Sequence, residues 1–415
     1  METLPAVALI GARAPAQSRL AVDLSRGLAA RGVHHALFRI AQHPLEAYGH
    51  GRGTGPLRIF ALQGPFIQQD LDYACRQIDE RCLPLLVDLA PLPANALAQV
   101  LDHCTHAIML VDAESEDASV RLTHIRPDLL LLAEHPMASE VLPPAGERSS
   151  DQGRSPGHAE LLDRLHAVMN YAPEELRSLH LRLAPDDIEI CVELDRLRHA
   201  IAPAHRQWRP EDLASALEYL PFGVPLALYG DVPPWLYAAI AAHLRDTRLA
   251  AFDPTAGWIE VPTLSLTPAI PRALLRTEAH DEGDVQALHV ELQPWGLDYR
   301  ALHRITAPRF DPTRGVLIEG YGLPAWLWMA LARAYSRARW LAVHDPETMQ
   351  APIVIFSRDP AAALGSRPPT SPLSEPHRPS GPSPAGRSHR SDGADDRLRS
   401  AAWSSLRRDL HRSRI

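Results

Sequence analysis

Two long stretches of this chain repeat one pattern, and that repeat constrains the fold more than any other feature. GDVPPWLYAAIAAHLRDTRLAAFDPTAGWIEV occupies 230–261, and GYGLPAWLWMALARAYSRARWLAVHDPETMQAPIVI occupies 320–355. Each reads as glycine, proline, Trp-Leu, an amphipathic helix, a short turn, a strand, Asp-Pro and a further strand. Asp253 and Asp345 stand 92 residues apart. The likeness extends upstream. IEICVEL (188–194) and ALHVELQ (287–293) each open a unit, and GVPLALYG (223–230) and RGVLIEGYG (314–322) follow helix-like segments. Each unit is therefore β-α-β-α-β-β. Repeats of this kind commonly pack as a pseudo-twofold pair, as homodimers do; the competing reading is chance likeness of two small units.

The region before the repeat follows a different rule. Strand-like runs at 6–12, 34–40, 57–63, 83–90, 106–112 and 129–135 alternate with helical stretches near 18–31, 67–80, 94–103 and 117–124. Several runs are continuously apolar, as strands covered on both faces are. This predicts a doubly wound parallel α/β sheet over 1–136. Its first strand leads into GARAPAQS, where a phosphate-binding loop would sit in the form G-x-x-x-x-G-K-[ST]. Gly11 and Ser18 are in place, but Ala16 replaces the second glycine and Gln17 the lysine. Asp88 ends the run LPLLVD, where such a protein holds its magnesium-side aspartate. Gly11, Gln17, Ser18 and Asp88 are the candidate residues of a degenerate nucleotide site. Arg13 or Arg19 would have to supply the missing charge. Hydrolysis of ATP is not expected, and its binding stays open.

Composition bounds the rest. At 415 residues the chain has room for two or three domains. A net charge of −8 argues against a general duplex-DNA binder, which carries a basic face. Cys75, Cys82, Cys104 and Cys191 form no C-x-x-C pair, and in a chain this long they read as reduced thiols of a cytoplasmic protein. No apolar run is long enough to span a membrane. Residues 137–160 lose all periodicity and read as a flexible linker. Repeat units follow at 161–270 and 271–358, and 359–415 reads as a disordered tail rich in Pro, Ser and Arg. Leu398, Trp403, Leu406 and Leu410 would line a short basic helix within it.

Some repeat positions carry chemistry in principle. Prolines open both repeat helices, where free first-turn amides suit an anion. Trp235 and Trp326 stand in those first turns, as packing anchors or as stacking platforms. Asp253 and Asp345 are turn formers before proline, or else metal ligands or general bases.

The segment FDPTRGVLIEGYGLPAWLWMALARAYSRARWLAVHDP (310–346) resembles the small CRISPR-associated Csx-three family, accessory proteins of type III systems. YGDVPPWLYAAIAAHLRDTRLAAFDPTAGWIEV (229–261) resembles it as well, so the likeness covers about 186–358 as two copies. Residues 1–136 look like the P-loop-type domain fused to some members, best over 78–111. The resemblance implies ferredoxin-like units assembled as dimers, with ligand held between them. It also implies manganese-dependent cleavage of RNA ends and of cyclic tetra-adenylate by a helix-end histidine and the Asp-Pro aspartate. The histidine is replaced by Arg245 (or Leu244) in the first copy and by Ser336 in the second, which puts cleavage in doubt more than binding.

The expectation is a type III accessory protein that binds cyclic oligoadenylate or single-stranded RNA ends through an intramolecular pseudo-dimer, with homo-oligomers open. Asp253 and Asp345 would act with Mn2+ or Mg2+, and Trp235, Arg245, Trp326, Ser336 and Arg337 would contact the ligand. The alternative is a non-catalytic scaffold with a vestigial nucleotide-binding domain.

Overall fold

A computed structural model describes residues 4–11, 14–40, 59–62, 68–89, 92–112, 129–137, 156–254, 256–267, 275–292, 299–345 and 351–369. The chain divides into two compact units, Met1–Pro369 and Thr370–Ile415. The second, with the tail helix, lies outside the described residues, as do the helix expected at 117–124 and most of the linker.

The first domain is a six-stranded parallel sheet. Its strands are β1 (Ala6–Gly11), β2 (Ala36–Ile40), β3 (Ile59–Leu62), β4 (Leu85–Leu89), β5 (His106–Asp112) and β6 (Leu130–Met137), in spatial order β3-β2-β4-β1-β5-β6. The central strands β1, β2 and β4 are buried along most of their length and largely apolar, as strands covered on both faces are, with Arg39 in β2 and Asp88 in β4 as the charged exceptions. Helix α1 (Ala14–Ala30) packs on one face, and α2 (Gln68–Asp79) and α3 (Ala94–Leu101) pack on the other. Beyond the linker, α4 (Pro156–Met169) joins α1: Leu161, Leu162, Leu165 and Met169 share its core, and Gly27 lets Leu162 approach the α1 backbone. This helix begins the segment assigned above to the first repeat, yet its apolar face belongs to the first domain.

After α5 (Pro173–Arg182) come two modules of like topology. In the first, β7 (Ile190–Glu193), β8 (Leu226–Tyr229) and β9 (Leu249–Asp253) run parallel, and β10 (Gly257–Glu260) returns antiparallel on β9. Helices α6 (Leu194–Ile201) and α7 (Leu213–Tyr219) fill the first crossover, and α8 (Pro234–His243) fills the second. A short strand, β11 (Ser265–Thr267), pairs with β14 (Thr306–Pro308). The second module orders β12 (Leu275–Glu282), β13 (Val285–Leu292), β15 (Gly315–Tyr321), β16 (Trp340–His344) and β17 (Ile353–Ser357), with α9 (Ala325–Tyr335) between β15 and β16. Strands β13, β15 and β16 are parallel, and β17 is antiparallel on β16, as β10 is on β9. Strand β12 has no counterpart in the first module. It forms a hairpin with β13 through Gly283, whose φ of 56° suits a two-residue turn.

The ferredoxin-like expectation is corrected by this topology. A ferredoxin-like unit places its hairpin between two βα crossovers, as β-α-β-β-α-β. Here the hairpin closes the module, so adjacent strands are sequential and mostly parallel.

Helices α8 and α9 are buried on all sides. Trp235 through Ala242 are enclosed in α8, as are Trp326 through Ala332 and Tyr335 in α9. A helix apolar all round must lie inside the protein. Both sheets contribute to one core, Leu226, Leu228 and Ala251 from the first and Val290, Ile318 and Val343 from the second. Arg333 Nη2 donates to Thr247 O (2.7 Å), joining the two helix ends. The ordered chain continues past 358, the expected start of the tail. Gly365 N donates to Val354 O and Val354 N to Ser366 O, both at 2.8 Å.

Candidate functional site

The order of the first sheet reverses around β1 and β4. Helix α1 leads from β1 to one side and α3 from β4 to the other, onto opposite faces. In open α/β sheets a ligand crevice lies at such a point, outside the strand carboxyl ends. Gly11 ends β1, and Gln17 and Ser18 lie in the first turns of α1. Gln17, Ser18, Asp88 and Arg39 are all buried there.

Their hydrogen bonds close on one another. Gln17 Nε2 donates to Leu9 O (2.9 Å), Asp88 Oδ1 (2.9 Å) and Leu89 O (2.5 Å). Ser18 Oγ donates to Asp88 Oδ2 (2.6 Å). Two amide hydrogens thus face three acceptors, a set that an ammonium group with three donors would match. Turning the amide over would aim Oε1 at those acceptors, so its orientation is fixed. A side chain at Gly11 would meet Leu110 Cβ at 2.9 Å and Gln17 Oε1 at 3.2 Å, which explains the glycine there.

The charge facing Asp88 comes from Arg39, its register partner on β2, with Nε 3.7 Å from Oδ2. The sequence reading missed it and weighed Arg13 and Arg19 instead. Arg19 is exposed, and Arg13 lies outside the described residues. The available signal was an arginine inside the apolar strand HHALFRI. Both Asp88 oxygens accept hydrogen bonds from within the chain, which ties the carboxylate to α1. Accordingly, 1 mM magnesium-ATP should move the melting temperature by less than about 1 °C, since only a ligand that binds the native state stabilises it. A thermal-shift titration checks this, and a rise of several degrees would reverse the reading.

The two Asp-Pro aspartates sit in different surroundings. Asp253 is buried at the end of β9, beside the first domain. Burial, with the Asp253 charge next in weight, pushes the Cys82 thiol up to about 11. Gly257, the register partner of Asp253, leaves room for Cys82 Sγ, which a Cβ there would meet at 3.2 Å. His180 of α5 seals the place. Its Nε2 lies 2.6 Å from Cys82 O, which can only accept, so Nδ1 takes the hydrogen bond from the Tyr229 hydroxyl at 2.9 Å. Desolvation lowers the His180 pKa, in keeping with this neutral form. The ring lies 4.2 Å from that of Phe252, and Trp258 Nε1 donates to His180 O (2.8 Å).

Asp345 follows β16 and is only partly buried. It shares a cavity of about 10 Å3 with Pro234, Trp235, Trp328, Val343, Ala351 and Ile353. The fold therefore brings Asp345 of one module to Trp235 of the other. The space holds one water molecule at most.

The remaining candidates divide between core and surface. Trp326 is fully enclosed, a packing residue. Ser336 is buried and caps α9, its Oγ donating to Arg333 O (2.9 Å). Arg245 is exposed and paired with Asp246 (3.2 Å). Arg337 is exposed, one turn beyond Arg333, near the Thr247 turn.

Manganese or magnesium is the ion expected at both aspartates. Such ions take six or more oxygen ligands. Asp345 lines a small space with Pro234, Trp235 and Val343, and Asp253 lies near the Cys82 thiol. Among the described residues, no group of three or more His, Cys, Asp or Glu side chains is placed to hold a metal ion. The four cysteines are free thiols. Among the described residues, no helix is long and apolar enough to cross a membrane.

A search of curated proteins finds no match to this chain. Residues 291–367 run from the end of β13 through β17 and the turn after it. They match the family model described as CRISPR-associated protein (Cas_csx3), so this part of the second module is similar to that family.

Proposed function

We propose that this chain is an accessory protein of type III CRISPR defence that binds cyclic oligoadenylate or single-stranded RNA ends without efficiently cutting them. The match of residues 291–367 to the CRISPR-associated family carries the reading. Three features of the geometry favour binding over turnover. Asp253 is sealed beneath the first domain, Asp345 faces a cavity no larger than a water, and the helix-end histidine position holds the buried cap Ser336. The exposed Arg245 and Arg337, on neighbouring helix ends, suit phosphate contacts.

The test is labelled cyclic tetra-adenylate with manganese. Wild-type protein should retain the label at micromolar concentration and leave it intact. Arg245→Ala with Arg337→Ala should weaken binding about tenfold, as for the loss of charge-assisted hydrogen bonds. Asp345→Ala should bind as wild type. Cleavage by the wild type that Asp345→Ala abolishes would restore the nuclease reading. No binding at 10-fold higher protein would leave the scaffold alternative.

A further inference from the structure

A cleft of about 500 Å3 opens at the seam of the two modules. The first module lends it Leu217 of α7 and His243, the last residue of α8. The second lends the end of β17 and the turn that follows. A difference between the two halves creates it. After β10 the chain crosses over to pair β11 with β14, and Val261 and Leu264 join the shared core. After β17 the chain instead folds back over its own sheet, where Ala362 packs with Trp340, Ala342 and Val354. The seam beside α7 and α8 is left open on that side.

The cleft is flat-walled and carries a cation to spare. Leu217 and Ile355 supply apolar wall, with Leu364 37 % exposed at the rim. The Arg358 guanidinium lies over the Phe356 ring, 5.7 Å from its centroid. At the α8 side, Phe222 is 75 % exposed and meets His243 edge to face, with ring centroids 6.2 Å apart. The carboxylate in the lining, Asp359, is already engaged. Its Oδ2 pairs with Arg339 Nη2 (2.7 Å), and its Oδ1 accepts from Ala361 N (3.0 Å). Among the described residues, Arg358 pairs with no carboxylate.

We propose that this cleft receives one base of the adenylate ligand, laid against Arg358 and Phe356 with Phe222 at the mouth. The inference rests on the oligoadenylate reading and extends it from the phosphates to a base. Single-stranded nucleic acids are held by aromatic rings and guanidinium planes set beside a basic track. The volume falls in the range of sites for small ligands. The phosphate contacts already assigned lie next along the chain on both sides. Arg245 is two residues beyond His243, and Arg358 N donates to Arg339 O (2.9 Å), two residues beyond Arg337. An uncharged aliphatic ligand would desolvate Arg358 without compensation, whereas a nucleotide brings an anion to it.

Cyclic and linear tetra-adenylate, titrated by calorimetry into the full chain, test this. Phe222→Ala and Arg358→Lys should each weaken binding about tenfold, the loss typical of one stacked base. Phe222→Tyr keeps the ring and should bind as wild type does. Phe222 is exposed, so its variants should melt at the wild-type temperature. The ligand that loses more affinity on Phe222→Ala is the one that places a base here. The proposal is overturned if Phe222→Ala and Arg358→Lys bind both ligands as tightly as wild type while Arg245→Ala with Arg337→Ala does not. That result would leave the oligoadenylate reading standing. Failure of the wild type to bind either ligand would overturn both.

Discussion

Replacing Arg39 with methionine should cost about 3–5 kcal/mol, the usual loss when one partner of a buried ion pair is removed. Arg39 and Asp88 are register partners in the middle of the sheet, 2 % and 0 % exposed. Methionine fills much of the arginine's volume, so the loss would be electrostatic rather than a cavity. It leaves the Asp88 carboxylate with neutral donors, Gln17 Nε2 and Ser18 Oγ, facing its two oxygens. Urea unfolding followed by far-UV circular dichroism measures the change. The double variant Arg39→Met with Asp88→Asn should recover about half of it, because the uncompensated charge is gone. A loss below about 1 kcal/mol in the single variant would mean that Arg39 does not neutralise Asp88.

Trp326→Ala should cost a further class of energy of the same size, about 3–5 kcal/mol, from transfer and cavity together. Trp326 is fully enclosed in α9, within a core drawn from both modules. Size matters less here than shape of the transition. If the modules share one core, they unfold together, and the substitution shifts a single step. Hydrogen exchange should then show loss of protection in β8 and β9 as well as in β15 and β16. Protection lost only from the second sheet would show two independent modules.

The first domain was largely legible because its code is local. Most strands are largely apolar runs bounded by turn residues, so six strands emerge within a few residues of their ends. The repeat was legible for another reason: two matching helices flanked by Trp-Leu and Asp-Pro need no knowledge of contacts. What stayed hidden depends on distant partners. Nothing near Asp253 in sequence announces Cys82 or His180, which reach it only when the domains pack. Arg39 was hidden for the same reason, as it meets Asp88 only once β2 and β4 pair. Strand β12 was missed because TEAHDEGD is polar, as an edge strand open on one face can be. The ferredoxin-like expectation failed at topology, which strand count and helix order leave undetermined.

The outer faces of the two sheets have a consequence for how such a pair can change. In a dimer of identical subunits every substitution appears twice, so a face cannot be plugged on one side and kept open on the other. Covalent joining lifts that restriction. One sheet here is stoppered by Phe252, Tyr229 and His180, while its counterpart carries His289, Glu319 and His344, all partly exposed. A single chain can thus close the outer face of one sheet and leave that of its counterpart partly exposed.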